Sequence, residues 1–408
     1  MAEVLRPVAP QERIGALDLL RGWAMFGVLW SNLNDVYGPR AAATTFDHAL
    51  AWTQQWLLES RFYSLLILLF GIGFGIQLTR ADALATDLRG TYYRRSAALL
   101  AIGIVHGTLI WNGDILTIYA LVAFALVLFR TASTRRILVA AVLLWFVGPF
   151  IVRDLTFLSG LRFMLPGSHR NLAVIYAHGT WLQIERARVS EYLDWLGKFG
   201  LTSYVSILAA FLVGLWSMKS GYLRRVIDDP RTTRRLLASA LVLAAIGYAR
   251  LKFADRLWPM RPPPNPADGF PYPYFQYVLA RQFVLKFFAW DTEGMAIAYA
   301  CILLLIWQRP RGERVLRPLA ATGRMALTTY LTQSIVCTLL FYSYGLGWYG
   351  TVGFTGMFLI ALILFAFQMA ASTWWLARFR YGPAEWVWRT LTYGRAPAMQ
   401  KMTSRRAA

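Results

Sequence analysis

Long apolar stretches separated by short basic segments run along most of this chain. Runs of roughly 17–25 apolar residues are long enough to cross a hydrocarbon core as α-helices. The pattern predicts ten membrane-spanning helices, at residues 15–36, 62–79, 96–111, 114–130, 136–152, 201–218, 236–252, 292–308, 319–342 and 353–377. The expected fold is therefore all-α, a polytopic helical bundle forming a single transmembrane domain over residues 1–408.

The composition agrees with this pattern. The 408 residues are 57% hydrophobic and 15% charged, whereas a soluble domain carries about 25% charged residues. A net charge of +21 would suggest nucleic-acid binding in a soluble protein. Here the basic residues lie largely in short segments between spans, where Lys and Arg determine orientation. We therefore expect the lipid bilayer as a partner, and no nucleic acid.

The basic residues also predict an orientation. With the N-terminus inside, the inner segments hold 26 Lys and Arg residues and the outer segments hold 14. This excess predicts cytoplasmic N- and C-termini. Residues 153–200 and 253–291 are then extracytoplasmic loops, and residues 378–408 form a cytoplasmic interfacial helix and a basic tail. The polar first 12 residues and the full-length first span predict no cleavable signal peptide.

One predicted hairpin carries the strongest candidate chemistry. His106 lies near the end of one span and Asp114 begins the next, with an Asn-Gly turn between them. Ionisable groups are costly in a bilayer and usually face a cavity or a partner. An imidazole oriented by a carboxylate can act as a general base. A structural pair that closes the turn explains the same residues, and both interpretations stay open.

Other polar residues sit near the ends of predicted spans. Asp18 and Arg21 share one helical face at the cytoplasmic end of the first span. They form an ion pair that fixes the depth of the span, or Arg21 contacts an anionic ligand. Asn32, near the outer end, can cap the helix or hydrogen-bond a carbonyl oxygen. His48 follows in the next outer segment.

The span at 319–342 is unusually polar. Arg324 can bind a phosphate or carboxylate near the cytoplasmic side, and Thr328, Tyr330 and Gln333 lie on or near the same stripe. Such a stripe faces either a water-filled path or the hydrogen-bonding groups of neighbouring helices.

The sequence predicts no metal site and no disulfide. Cys301 and Cys337 both lie in apolar spans, where ordinary packing is the default. The chain has only four histidines, and three are in outer loops, so haem ligation between facing helices is not expected.

Five sequence blocks, taken in order, resemble the YeiB family, a family described as a domain of unknown function. They are LDLLRG at 17–22, LFGIGF at 69–74, HG at 106–107 with GDIL at 113–116, GRMALT at 323–328 and GPAEW at 382–386. The family is similar to the transmembrane acyltransferase superfamily, which includes the heparan-α-glucosaminide N-acetyltransferases.

That resemblance implies a bundle of ten or eleven helices that passes acyl groups from cytoplasmic acyl-CoA to an acceptor across the membrane. In the N-acetyltransferases an asparagine ending the first span and a histidine in the next outer loop carry the chemistry. Asn32 and His48 occupy comparable places here. The signature histidine of the YeiB family matches His106, which we rank above His48.

The favoured hypothesis is an acyltransferase of the bacterial inner (plasma) membrane that uses acyl-CoA as donor. His106, oriented by Asp114, would deprotonate a hydroxyl or amine of a small-molecule, sugar or lipid acceptor, while Asn32 steadies the oxyanion. Asp18, Arg21, Arg324, Thr328, Tyr330 and Gln333 would line the donor site. The alternative is a proton-coupled permease or exporter of a small molecule, and a scaffold or redox subunit is a third class. A homodimer is compatible with each.

Overall fold

The computed structural model describes residues 14–37, 44–58, 60–149, 172–198, 200–257 and 285–401. Within these ranges the chain is helical and contains no β-strand, apart from one isolated bridge between Phe379 and Gln400. The predicted all-α fold is thus confirmed for this part of the chain. Most of the predicted loop 253–291, along with the two terminal segments, lies outside it.

The described α-helices range in length from 7 to 28 residues. They are α1 (Gly15–Val36), α2 (Thr45–Thr53, continued by a π-helical turn Gln54–Leu58), α3 (Arg61–Ala83), α4 (Arg89–Leu109), α5 (Leu116–Leu126), α6 (Thr134–Phe146), α7 (Leu172–His178), α8 (Trp181–Lys198), α9 (Gly200–Lys219), α10 (Tyr222–Asp228), α11 (Pro230–Leu257), α12 (Asp291–Trp307), α13 (Gly312–Arg324), α14 (Ala326–Phe341), α15 (Phe354–Arg378) and α16 (Pro383–Tyr393).

Three stretches of the described chain are long and apolar enough to cross a membrane. They are Thr45–Ala83, Leu285–Trp307 and Phe354–Arg378. The pair Ser203–Lys219 and Tyr222–Asp228, bent by 72°, makes a fourth if it is one span. The other helices are shorter or more polar, so the structure supports a membrane helical protein without defining ten spans.

The predicted span 319–342 differs most from the structure. It is divided between α13, which ends at Arg324, and α14, which begins at Ala326. Met325, at the break, leaves the helical conformation with φ −108° and ψ 31°. A carboxylate from a later helix, Glu385, accepts hydrogen bonds from the backbone of Leu327 and Thr328 at this new N-terminus. The break is therefore stabilised by long-range contacts that the local pattern does not contain.

Close helix contacts at glycine organise the bundle. A Cβ on Gly22 of α1 would lie 2.0 Å from the carbonyl oxygen of Leu319, and one on Gly323 of α13 would lie 1.8 Å from that of Asp18. Gly71 of α3 and Gly214 of α9 make a similar crossing. Small residues thus let the backbones touch, which brings the ends of α1 and α13 to the same place.

The predicted outer loop 153–200 contains two helices, α7 and α8, within its described part. Arg188 of α8 is 1% exposed and donates a 2.5 Å hydrogen bond to the carbonyl oxygen of Leu109 at the end of α4. Gly107 of α4 packs against the ring of Tyr192, with no room for a Cβ between them. Helix α8 therefore covers the α4–α5 turn.

Candidate functional site

The α4–α5 hairpin brings His106 and Asp114 into direct contact. Nδ1 of His106 lies 2.9 Å from Oδ1 of Asp114, and the two side chains are 1% and 0% exposed. Because an ionised carboxylate only accepts hydrogen bonds, Nδ1 carries the proton and donates it. Nε2 is then left as the basic nitrogen of the ring.

The N-terminus of α5 holds the carboxylate. Oδ2 of Asp114 accepts a 2.7 Å hydrogen bond from the backbone N–H of Thr117, an N-terminal amide without an intrahelical partner. Gly103 makes room for this contact, since a Cβ there would lie 2.9 Å from Oδ2 of Asp114 and 2.6 Å from the backbone nitrogen of Thr117. The carboxylate is therefore fixed from both helices of the hairpin.

The free nitrogen of His106 is buried. Among the described residues Nε2 has no hydrogen-bond partner. The rings of Tyr330 and Trp111 lie 4.9 Å and 6.2 Å from the His106 ring, centroid to centroid. A buried acceptor without a partner is costly unless a ligand or water engages it. This arrangement can accept a proton from a group that enters beside the ring.

Helix α8 reinforces the turn of the hairpin. The hydroxyls of Tyr192 and Thr117 lie 2.7 Å apart, and Oε2 of Glu191 accepts a 3.0 Å hydrogen bond from Asn112 in the turn. Burial raises the pKa of Tyr192 to about 12, so its hydroxyl keeps its proton at neutral pH. The turn is therefore anchored by neutral and charged hydrogen bonds from a segment far along the chain.

A cavity of about 320 Å³ leads toward this hairpin. One part of its wall is basic, and Arg21, Arg80, Arg95, Arg324 and Arg389 line it. Apolar side chains such as Leu66, Leu69 and Phe70 line the middle, and Ile115, Tyr119 and Tyr330 also belong to the wall. His106 and Asp114 do not line the cavity. Tyr330, which packs on the His106 ring, separates them from it.

The basic part of the cavity, here called the arginine mouth, is built from α1, α3, α4, α13 and α16. Arg21 donates a 2.7 Å hydrogen bond to Oδ1 of Asp18, and Arg324 donates one of 2.8 Å to the carbonyl oxygen of Arg380. The guanidinium of Arg95 lies 3.7 Å from the ring centroid of Trp388. Each arginine keeps further N–H donors for a ligand, because a guanidinium has five.

Arg95 and Arg389 belong to the mouth but were not among the predicted site residues. Arg95 lies in one of the basic segments that predict the orientation, and Arg389 lies in the predicted interfacial helix. The signal was present in GPAEWVWR at 382–389, where two tryptophans and an arginine follow the last long helix. Only the packing of α16 against α4 puts these residues next to Arg21 and Arg324.

Glu385 fixes α16 over the break between α13 and α14. Its Oε1 accepts from the backbone of Leu327 at 2.7 Å and Thr328 at 3.1 Å, and its Oε2 accepts from the Thr328 hydroxyl at 2.6 Å. Burial raises the pKa of the Glu385 carboxyl above its usual value. Thr328, predicted to contact a ligand, thus holds two helices together.

Three further predicted site residues lie elsewhere. Gln333 donates a 2.9 Å hydrogen bond to Gln368 of α15 and one of 3.4 Å to the carbonyl oxygen of Met25. The half-buried Asn32 accepts a hydrogen bond from the hydroxyl of Tyr63 and is not among the residues that line the cavity. His48, on α2, is exposed. Of the predicted donor residues, Asp18, Arg21, Arg324 and Tyr330 share the cavity wall.

Within the described ranges, no group of three or more His, Cys, Asp or Glu side chains is placed to hold a metal ion. Cys301 and Cys337 are both buried and free.

Comparison with known proteins shows that the chain is similar to members of one family. Residues 272–395 match the family described as "Protein of unknown function (DUF418)". The chain is 32% identical to "Uncharacterized protein YxaH" of Bacillus subtilis over 95% of its own length and 96% of that protein. It is 29% identical to "Uncharacterized protein YeiB" of Escherichia coli, over 97% and 100% of the two chains. No solved structure matches it.

Proposed function

This chain belongs to the YeiB-like family of proteins of unknown function, and we propose that it is a membrane acyltransferase that takes acyl groups from cytoplasmic acyl-CoA. The observation that carries the proposal is one cavity lined both by the arginine mouth and by Tyr330, whose ring packs on the buried His106–Asp114 pair. Such a path can bind the phosphates of a donor at its basic end and bring the reacting group toward a general base at the other end.

The proposal places the chain in the inner membrane of a bacterium with ten spans and both termini in the cytoplasm. The three long apolar stretches support a membrane location, and the excess of Lys and Arg in the inner segments supports the orientation. In this placement the arginine mouth faces the cytoplasm, where acyl-CoA is found. The α4–α5 turn, covered by α8, is nearer the opposite face.

The cavity wall fits a donor that has phosphates at one end and an apolar chain at the other. Arginine binds phosphate through paired N–H donors, and Arg21, Arg95 and Arg324 offer several. Leu66, Leu69 and Phe70 make the middle of the path apolar. The phosphates of coenzyme A would bind at the mouth, and its thioester would extend toward Tyr330.

His106 would act as general base for the transfer. Nε2 removes the proton from the acceptor hydroxyl or amine as that atom attacks the thioester carbonyl carbon. The new C–O or C–N bond forms, the C–S bond breaks, and the departing thiolate receives the proton from Nε2. Asp114 keeps Nδ1 protonated throughout and stabilises the positive ring. The Tyr330 ring must turn aside for the thioester to reach Nε2.

Asn32 remains the proposed donor to the oxyanion. Its Oδ1 accepts from Tyr63, so its Nδ2 carries the N–H groups left for a ligand. Tyr63 is linked in turn to the cavity, because Tyr119 donates a 3.4 Å hydrogen bond to the Tyr63 carbonyl oxygen. His48, which is exposed on α2, has no part in this scheme.

Donor binding is the first test. Purified protein in detergent is titrated with acetyl-CoA, hexanoyl-CoA and free coenzyme A, and the unfolding temperature is followed. A ligand that binds only the folded state stabilises it by about 2.7 kcal/mol at 100 times its Kd. We expect a saturable rise for the wild type. Arg324→Ala should weaken binding by about 10- to 100-fold, because a charged hydrogen bond contributes roughly 1.5–3 kcal/mol.

The matched control is Arg136→Ala, which removes the same charge from an exposed position that does not line the cavity. It should bind the donor as the wild type does. Equal losses of donor affinity in both variants would show that the effect comes from the change in net charge alone. If no acyl-CoA shifts the unfolding temperature, the acyltransferase proposal fails, and uptake into vesicles under a pH gradient would test the permease alternative.

A further inference from the structure

A second cavity, of about 340 Å³, lies between α3, α6, α9 and α12. It is on the other side of α3 from the first cavity. Leu66 and Leu69 line the first, whereas Leu65 and Leu68 line the second. What binds in the second cavity is therefore independent of the proposed acyl transfer, although it uses the membrane placement given above.

The wall of this cavity is mostly apolar and reaches the outer surface of the bundle. Val142 of α6 and Val213 of α9 line it, and they are 47% and 38% exposed. In a membrane these exposed valines face acyl chains rather than water. The cavity is thus open to lipid from the side, and an acyl chain fits its chemistry.

Two opposite charges share the wall of this mostly apolar cavity. Lys286 and Glu293 both line it, and among the described residues no ion pair joins them. The ammonium of Lys286 lies 4.0 Å from the ring centroid of Trp145, which stacks on Trp290 at 5.9 Å. Tryptophan and lysine together are typical of the depth at which lipid headgroups lie. This part of the cavity is therefore suited to a headgroup.

We propose that the second cavity binds one phospholipid with a phosphate and a primary ammonium in its headgroup, that is, phosphatidylethanolamine. An acyl chain occupies the space between the helices, the phosphate lies beside Lys286 and the ammonium beside Glu293. Partly buried charges in an apolar wall are costly when no ion pair joins them, and this lipid supplies a counter-charge for each side chain. Phosphatidylglycerol supplies only the anion, and the quaternary ammonium of phosphatidylcholine has no N–H to donate to Glu293.

Native mass spectrometry of the full-length protein in detergent tests this. The three lipids, with identical acyl chains, are titrated separately. We expect the wild type to bind phosphatidylethanolamine about tenfold more tightly than either of the others. Glu293→Gln should abolish this preference while binding phosphatidylglycerol at least as well. Lys286→Met, which keeps the apolar stem, should weaken binding of all three lipids.

The control variants are Lys252→Met and Glu313→Gln, which change the same residue types at exposed positions outside the cavity. Both should bind lipid as the wild type does. Equal affinity of the wild type for the three lipids, or no effect of Lys286→Met, would overturn the proposal. If a variant does not fold, the proposal is tested instead by identifying the lipids that copurify with the wild type. Enrichment of phosphatidylethanolamine over its fraction in the source membrane supports the site, and no enrichment contradicts it.

Discussion

Helix α2 and the α4–α5 hairpin each carry a histidine and an aspartate, and they use the aspartate differently. On α2, Asp47 is next to His48 in the sequence, but its Oδ1 accepts from the backbone and hydroxyl of Thr355 at 2.9 Å and 2.6 Å. Its Oδ2 accepts from the backbone of Thr44 at 3.2 Å. In the hairpin, Asp114 is eight positions from His106 and accepts from its ring at 2.9 Å.

The difference shows what makes a histidine a candidate catalyst in this molecule. Asp47 joins α2 to the start of α15, so its carboxylate has a structural role, and His48 is exposed. One oxygen of Asp114 accepts a hydrogen bond from the N-terminus of α5, and the other accepts one from the imidazole. Only the second arrangement fixes a tautomer and leaves a buried, unpartnered nitrogen among the described residues. The burial of the pair and the hydrogen bond from the imidazole to the carboxylate therefore identify the candidate catalyst better than proximity in the sequence does.

The largest expected effect comes from His106→Asn. The shorter amide can still donate to Asp114, but it has no basic nitrogen in place of Nε2. We expect the release of thiol from acyl-CoA in the presence of acceptor, or of water as a slow acceptor, to fall by about 10²–10⁴-fold. Donor binding, measured by the thermal shift, should not change. The matched variant His48→Asn should retain full turnover, and the reverse result would make α2 the catalytic region.

The next comparison is between the two aspartates. Asp114→Asn and Asp47→Asn each remove a charged acceptor, and each should lower the free energy of unfolding by about 1.5–3 kcal/mol. We expect turnover to fall by at least tenfold in Asp114→Asn alone, because the ring loses the partner that sets its tautomer. Chemical denaturation and thiol release measure the two effects. A comparable loss of turnover in Asp47→Asn would show that the rate follows stability and not the dyad.

Part of this site could be predicted from the sequence. The contact between His106 and Asp114 depends on two residues flanking an Asn-Gly turn. Arg21 and Arg324 lie near the ends of two predicted spans, and the basic segments predict that these ends are on the same side of the membrane. Such information is local. The family assignment likewise depended on short blocks such as GDIL at 113–116, each of which can be read along the chain.

The rest depends on contacts between distant segments. Arg95 joins the mouth because α16 returns to α4, where Trp388 stacks on its guanidinium. The division of 319–342 depends on Glu385, about sixty positions further along. The role of Thr328 also changes for this reason, since its hydroxyl is taken by that same carboxylate. Hydrophobic periodicity contains none of these pairings.

Gly103→Ala tests whether the approach of α4 to α5 supports the dyad. The added Cβ would lie 2.6 Å from Oγ1 of Thr117 and 2.9 Å from Oδ2 of Asp114, so the helices must separate. We expect a loss of about 1–3 kcal/mol in the free energy of unfolding, with reduced turnover. On the same helix, a Cβ on Gly90 would meet nothing within 4 Å, so Gly90→Ala should not destabilise the protein. Equal behaviour of the two variants would contradict the steric argument.

The smallest effects on turnover should come from removing two hydroxyl groups, each of which forms a hydrogen bond to one of the two regions from a different helix. Tyr192→Phe removes the 2.7 Å bond to Thr117 beside the dyad, and Thr355→Val removes the 2.6 Å bond to Asp47 on α2. Tyr192→Phe should cost about 1 kcal/mol, as for a neutral hydrogen bond, and Thr355→Val about 1.5 kcal/mol or more, because its partner is a carboxylate. Turnover should change by less than about twofold in both, because the backbone of Thr117 still holds Asp114. If Tyr192→Phe instead lowered turnover tenfold, the position of the carboxylate would depend on α8, and the hairpin alone would not define the catalytic region.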